Sequence, residues 1–483
     1  MAATRREFLE AGASAALAAT LADTSAWAKA RRPNFVVVIV DTLRADYVSG
    51  YGGYAFTPNI DDLARRGLRF THFYPEAMAT VPARRSIMTG RRVWPFRHWQ
   101  RHPGLLNTPG WAPINDPDDT FTSALHRAGY WTGYVTDNPF LGFAREYARF
   151  RGSFDRFERI GGQLGNSAHI GRVTRRALDQ WVIPELREPH FEERIRRFLG
   201  TGGYWRDEST SWAARVFGGA AALLDGASTR RPFALVVDTY EPHEPWTPPR
   251  AYIDLYGTPG YAGPEPSMSR YMRVRDWLSP KRAGPVLDRM RDLYAAEVTM
   301  TDRWLGVLLA RLRELGLESD TVILLVSDHG YLLGEHGWTG KIASMLHPAL
   351  VHVPLIVVDP RRAARPRTSS YLAQTHDVGP TVLSLAGVRR PDGMDGVDLS
   401  PLLRGRPPGE ARKFAYGGYA NWHYARTQEW AYVAMNRGIG RRLYNLEKDP
   451  AERRNIAHRH PKRIDELHRA IVRRAGRRLP VYR

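Results

Sequence analysis

The sequence predicts an α/β fold built on a large, mostly parallel central sheet, and three observations carry that prediction. Continuous β-branched runs recur along the chain, as expected of strands buried on both faces of a sheet. Helical patterns alternate with them. Each run closes on a polar or Gly/Pro-containing turn, and alternation of this kind argues for helices sandwiching one sheet.

The elements follow in order. Asn34–Val40 is the first run and stops at Asp41. Thr57-Pro58 opens a helix, with Thr as cap and Pro at the first position, and Gly67 closes it. Leu68–Tyr74 alternates as one strand, and Pro82–Thr89 reads as a short helix ended by Gly90. Tyr130–Thr136, Pro232–Val237 and Thr321–Ser327 are further strands; Leu287–Leu315 and His376–Ala386 are helices. Gly- and Pro-rich stretches at 100–118, 201–204 and 256–266 read as surface insertions. After Gly387 the texture changes to short strands over Arg412–Met435 and a final helix near 461–475. The predicted organisation is a large domain over 31–387 and a small C-terminal α+β domain over 388–483.

Composition narrows the function. The 483 residues carry 70 Lys+Arg against 50 Asp+Glu, a formal net charge of +20, and no Cys. The missing Cys excludes disulfides, thiolate metal sites, a Cys nucleophile and any cofactor made by modifying a cysteine. The basic residues are nearly all arginine and are spread along the chain rather than gathered on one element. That pattern points away from nucleic acid and suits attraction of anionic substrates. Arg5-Arg6 precedes an apolar run at 11–22, and Ala28-Lys29-Ala30 offers a small-x-small cleavage site. This order predicts a twin-arginine signal peptide over 1–30, the twin-arginine export machinery as partner, and a periplasmic or extracellular destination. No stretch approaches the ~20 apolar residues of a transmembrane helix.

The chemistry gathers at strand ends, where ligands bind in open α/β sheets. Asp41, then Thr80 at a helix start, then Tyr240-Glu241-Pro242-His243, then Asp328-His329 occupy such positions. Singly, Asp41 reads equally as a turn residue, Thr80 as a helix-start residue and His329 as a loop histidine. Together, two Asp, one His and a hydroxyl form an oxygen/nitrogen set for one divalent metal ion. The oxygens point to Ca²⁺ or Mg²⁺, and His329 tilts the choice toward Mn²⁺ or Zn²⁺.

Val40-Asp41-Thr42-Leu43-Arg44-Ala45-Asp46, Thr57-Pro58-Asn59-Ile60-Asp61 and Thr80-Val81-Pro82-Ala83-Arg84 with Thr89-Gly90 resemble the N-terminal half of a sulfatase. The stretch from Asp238 through Pro245, Ser327-Asp328-His329-Gly330, Gly334-Glu335-His336-Gly337, Lys341 and His352-Val353-Pro354 continue the resemblance. Asp395-Gly396-Val397-Asp398-Leu399 and Leu443-Tyr444-Asn445-Leu446 resemble the family's C-terminal signatures. The resemblance spans the mature chain in the right order and places it in the alkaline phosphatase superfamily. It implies that Asp41, Asp328 and His329 bind the metal, and that Thr80 stands at the formylglycine position. It further implies that Arg84 holds the nucleophile and substrate oxygens, that His243 assists the leaving group and that Lys341 touches the transferred group. His336 is a further substrate-binding candidate.

Three departures shape the expected activity. Sulfatases carry Cys or Ser where this chain has Thr80. Oxidising Thr gives a ketone, so no formylglycine forms. Thr42 replaces a second adjacent acid, and Asp137-Asn138-Pro139 replaces a Gly-Lys-Trp-His segment, leaving Asn138 to take over part of a lysine's substrate contact. The leading reading is a metal-dependent hydrolase of anionic small-molecule or glycan esters with Thr80 as nucleophile, phosphoesters or phosphonate esters favoured. A sulfuric ester hydrolase without formylglycine, and an exported polyanion-binding protein with a decayed site, are the alternatives.

Overall fold

Val36, Val38 and Val40 pack into one hydrophobic core while Phe35, Val37 and Ile39 pack into another. A strand that buries both of its alternating faces sits in the middle of a covered sheet. The structure, a computed structural model, describes residues 32–114, 119–163, 173–201, 208–230, 232–257, 260–362, 367–476 and 478–482. The predicted signal peptide over 1–30 lies outside the described residues, as do 115–118, 202–204 and 258–259 of the predicted insertions.

The first twelve strands, in chain order, are β1 (Asn34–Val40), β2 (Leu68–Phe70), β3 (Phe73–Tyr74), β4 (Trp131–Thr136), β5 (Arg156–Arg159), β6 (Phe233–Thr239), β7 (Thr321–Ser327), β8 (Leu332–Leu333), β9 (Thr339–Gly340), β10 (Leu355–Val358), β11 (Thr368–Ser369) and β12 (Ala373–Gln374). Four more follow: β13 (Ala415–Tyr419), β14 (Trp422–Arg426), β15 (Trp430–Met435) and β16 (Arg442–Asn445). Eight of them form the central sheet in the order β11-β2-β10-β7-β1-β6-β4-β5. Its centre, β7-β1-β6-β4-β5, is parallel, and β10 runs antiparallel to both β7 and β2. The predicted α/β sandwich is therefore the observed one.

Register places the chemistry. Val40 pairs with Thr239 on one side and Ser327 on the other, and Thr136 pairs with Asp238. The residues following β1, β4, β6 and β7 therefore emerge together at one edge of the sheet.

Three predicted elements differ in extent. Leu68–Tyr74 is two strands, because β2 joins the central sheet while β3 pairs with β12. The helix predicted from Pro82 starts at Thr80, so Thr80 is its first helical residue. The long helix runs Pro280–Glu314 and contains Pro285, which reads in the sequence as a breaker.

β13 to β16 form a separate antiparallel sheet in sequential order. The Pro461–Arg474 helix covers one face with Ile464, Leu467 and Ile471, and the other face packs on Met78, Ala79, Leu346 and Leu350. Its edge strand reaches the segment just before Thr80. Gly418 N–H donates to the Glu76 carbonyl at 3.1 Å, and Met78 N–H donates to the Gly418 carbonyl at 3.1 Å. At Gly417 a Cβ would collide with the Glu76 carbonyl, so the close approach requires glycine.

Candidate functional site

Asp41, Asp328 and His329 meet at the ends of the neighbouring strands β1 and β7, with ligand atoms all within 4.8 Å of one another and no exposure. Thr42 adopts a left-handed conformation (φ 57°), and its N–H donates to Asp328 Oδ1 at 3.0 Å. Thr42 thus serves through its backbone where a second acid could have stood. His329 Nδ1 lies 3.0 Å from the Gly330 carbonyl, which fixes the proton on Nδ1 and leaves the Nε2 lone pair free.

Arg84, one turn into the Thr80–Thr89 helix, is the single guanidinium among three carboxylates. Its Nη2 donates to Asp238 Oδ1 at 2.6 Å, its Nε to Asp238 Oδ2 at 3.0 Å and its Nη1 to Asp328 Oδ2 at 2.5 Å. Nη1 also lies 3.0 Å from Asp41 Oδ2, but off the hydrogen-bonding direction, so both Asp41 oxygens lack a hydrogen-bond partner among the described residues. Tyr134 donates to Asp238 Oδ2 at 2.8 Å. Arg84 Nη1 reaches the Thr80 carbonyl at 3.4 Å. The guanidinium therefore orients carboxylates and the backbone of residue 80.

The electrostatics ask for a cation. Burial, and then the negative charge of Asp328, push the Asp41 carboxyl well above its ordinary range. Burial works the same way on Asp328 but is overcome by His329, Arg84 and the Thr42 N–H, which hold it low. Burial brings the His329 imidazole down to about 4, so it is neutral and able to ligate. Two unsatisfied carboxylate oxygens, a neutral imidazole and an excess of buried negative charge fit a divalent metal ion.

Thr80 is buried at the N-terminus of its helix, with Oγ1 3.4 Å from His329 Nε2. It lines a cavity of about 360 Å³ together with Trp111, Phe140, Phe191, Arg194, Tyr240, His243, Tyr271 and Lys341. His243 stacks on Tyr240, at 4.1 Å between ring centroids. Its Nδ1 lies 2.7 Å from the Glu244 carbonyl, and its Nε2 lies 2.7 Å from Lys341 Nζ and 3.0 Å from the Tyr240 hydroxyl. Burial takes the imidazole down to about 3, so it accepts from the lysine. Glu244 is held down to about 2: burial opposes this, but the surrounding His243, Lys341 and Arg194 outweigh it.

Asn138, after β4, caps the next helix through Oδ1, which accepts from Phe140 N–H at 2.9 Å and Leu141 N–H at 3.1 Å. Its Nδ2 is buried without a hydrogen-bond partner among the described residues. His336 is not brought into this cavity. It stacks on His347 at 3.8 Å, in a left-handed turn beside a separate cleft lined by Arg273, Leu278, Trp338 and Met345. Its Gly-His-Gly setting serves that turn. His347 instead meets Glu452 at 2.8 Å.

Sequence reasoning missed two residues. Asp238, the bidentate partner of Arg84, is the one acid within the otherwise apolar and hydroxyl run of β6, which was the available signal. Arg194 sits in a charge-rich helix, Pro189–Thr201, where nothing local marks it out.

Residues 33–388 match the sulfatase family, and residues 334–475 match the C-terminal region of N-sulphoglucosamine sulphohydrolase. The chain is 25% identical to the N-acetylglucosamine-6-O-sulfatase of Bacteroides thetaiotaomicron, over 88% of this chain and 83% of that protein. It is 32% identical to arylsulfatase K of Danio rerio, over 92% of this chain and 85% of that one. In fold it is similar to the phosphonate monoester hydrolase of Agrobacterium radiobacter, with a TM-score of 0.70 at 21% identity, covering 92% of this chain and 96% of that one.

Proposed function

The chain belongs to the sulfatase family and is an ester hydrolase, and from that premise we propose that Thr80 is its nucleophile, acting on anionic esters with phosphate or phosphonate favoured over sulfate. The observation that carries this reading is the position of Thr80. It lines the cavity with its hydroxyl 3.4 Å from His329 of the Asp41–Asp328–His329 cluster, and it cannot be oxidised to formylglycine.

The chain's own residues divide the work. Asp41, Asp328 and His329 would hold the metal. When bound, a divalent ion lowers the pKa of a neighbouring hydroxyl and polarises the ester. Arg84 keeps the carboxylates and the residue-80 backbone in place. The N-terminus of the Thr80–Thr89 helix favours the incoming anion. Lys341 presents a point cation to the developing charge. His243, neutral and accepting from Lys341, leaves the leaving-group proton to the Lys341 ammonium, which it holds in place.

A second reading, sulfuric ester hydrolysis by Thr80 directly, is favoured by the sulfatase names of the relatives. One experiment decides between them: turnover of matched p-nitrophenyl sulfate, phosphate, phosphodiester and phosphonate by the metal-loaded protein and by Thr80→Ala. Phosphoester or phosphonate turnover lost in the variant supports the proposal. Sulfate turnover lost in the same way replaces it with the second reading.

A further inference from the structure

The cavity that holds Thr80 is lined by two cations, and only one of them has a place in the proposed reaction. Lys341 meets His243 at 2.7 Å. Arg194 lies on the Pro189–Thr201 helix, one turn after Phe191, and both side chains line the cavity. The Arg194 side chain keeps 34% of its surface exposed. Its one ion pair among the described residues is Nη2 to Glu244 Oε1, at 3.5 Å, the limit of a hydrogen bond.

Glu244 has a closer hydrogen-bond partner than Arg194, although the charge of Arg194 helps to hold its carboxyl low. The same Oε1 accepts from the Tyr271 hydroxyl at 2.6 Å, and Oε2 lies 3.2 Å from His243 Nδ1. A guanidinium has five donors in a fixed fork, so a single long bond leaves most of them free. Trp111, Phe140, Phe191, Tyr240 and Tyr271 supply aromatic surface to the wall, which Leu106, Thr108 and Ser269 also line. Trp111 and Phe140 meet edge to face at 4.7 Å, forming a surface against which a flat ring packs. At about 360 Å³ the cavity is near the small end of ligand pockets, sized for one ring and its substituents.

We propose that Arg194 is a specificity-determining residue that binds a second anionic group carried by the ring of the leaving alcohol. The preferred substrate is then a ring alcohol ester bearing another carboxylate, sulfate or phosphate. The fork of Arg194 takes that group bidentately while Lys341 serves the reacting ester. This inference rests on the reading of the Thr80 cavity as the substrate site.

The test measures binding, so it does not depend on turnover. Benzene-1,3-disulfonate and benzenesulfonate are titrated calorimetrically into the full-length metal-loaded protein, Arg194→Gln and Arg194→Lys, with melting curves to confirm folding. The expected result is a preference of about ten-fold or more for the disulfonate in the wild type, falling to about unity in Arg194→Gln and intermediate in Arg194→Lys, which keeps the charge but loses the fork. Equal affinities in the wild type, or a preference that survives in Arg194→Gln, overturn the proposal. So does a parallel loss of both affinities with the preference kept, which assigns Arg194 to holding Glu244. Absence of turnover on every ester with the disulfonate preference intact overturns the hydrolase mechanism and leaves the Arg194 site standing.

Discussion

Behind the cavity wall at Thr80 lies a floor where three carboxylates, Asp41, Asp238 and Asp328, surround one guanidinium, and none of the four side chains has any exposed surface. On the wall two cations, Lys341 and Arg194, accompany one carboxylate, Glu244, and line open space. The floor holds excess negative charge away from water, a costly arrangement unless a cation completes it. The wall holds excess positive charge where an anion can enter. Thr80 stands between the two, lining the cavity with the cations and meeting His329 of the buried cluster at 3.4 Å. What differs is also how each was built: the floor from strand ends fixed by sheet register, the wall from loops and insertion helices.

The largest effects are expected at the floor. Asp41→Asn and Asp328→Asn should each abolish bound metal, measured by elemental analysis, and lower kcat/KM by ~10³ or more. Their effects on stability should diverge. The fold disfavours the Asp41 charge and favours that of Asp328. In chelator-treated protein Asp41→Asn should therefore raise the Tm, while Asp328→Asn lowers it, with a loss of stability of ~3–5 kcal/mol where a buried charge pair is broken. Equal shifts of the same sign would remove the distinction drawn between the two carboxylates.

Thr80→Ala comes next, with an expected loss of ~10³–10⁴ in kcat and no loss of fold; Thr80→Ser should retain activity within about ten-fold. Metal content unchanged in Thr80→Ala, together with lost turnover, separates nucleophile from ligand. On the wall, Lys341→Met should cost ~10² in kcat for poor leaving groups and less for p-nitrophenol, since only the former need a proton. A leaving-group-independent loss would instead mean that Lys341 acts on the transferred group alone.

A smaller effect, read in pH, belongs to the C-terminal sheet. Burial takes His423 down to about 3. The unfolded state binds a proton near 6.5 and the native state does not. Stability should therefore be full above about pH 6.5 and fall toward pH 3, at most by about 1.4 kcal/mol per pH unit for this residue. His423→Phe should flatten the Tm profile over that window, and an unchanged slope would discount the residue. Smallest of all, His336→Asn, a residue tolerated in left-handed turns and remote from the cavity, should leave turnover within about two-fold.

The floor was the more legible half in the sequence, and for a physical reason. Asp41 and Asp328-His329 directly follow apolar runs that read as β1 and β7, so strand ends announced them. Arg84 was legible as a site residue, but its partner was not: pairing it with Asp238 required knowing that β6 lies beside β1. Parallel neighbours are set by crossover topology and leave no local mark. Arg194 was illegible altogether, since an arginine among Glu-Glu-Arg-Ile-Arg-Arg looks like any solvated helix face. His336, in a conspicuous local motif, stands in a left-handed turn at a separate cleft, a placement that the motif alone does not reveal.

The two hydrogen bonds joining Gly418 to Glu76 and Met78 have a consequence for how such a protein diversifies. They make the last sheet of the chain a splint for the backbone that delivers Thr80, with Gly417 admitting no side chain at the seam. A tail of this kind cannot be shed, exchanged or grafted without disturbing the backbone that carries Thr80. New substrate ranges are open to this scaffold through its cavity-lining insertions, while its tail is inherited together with its chemistry.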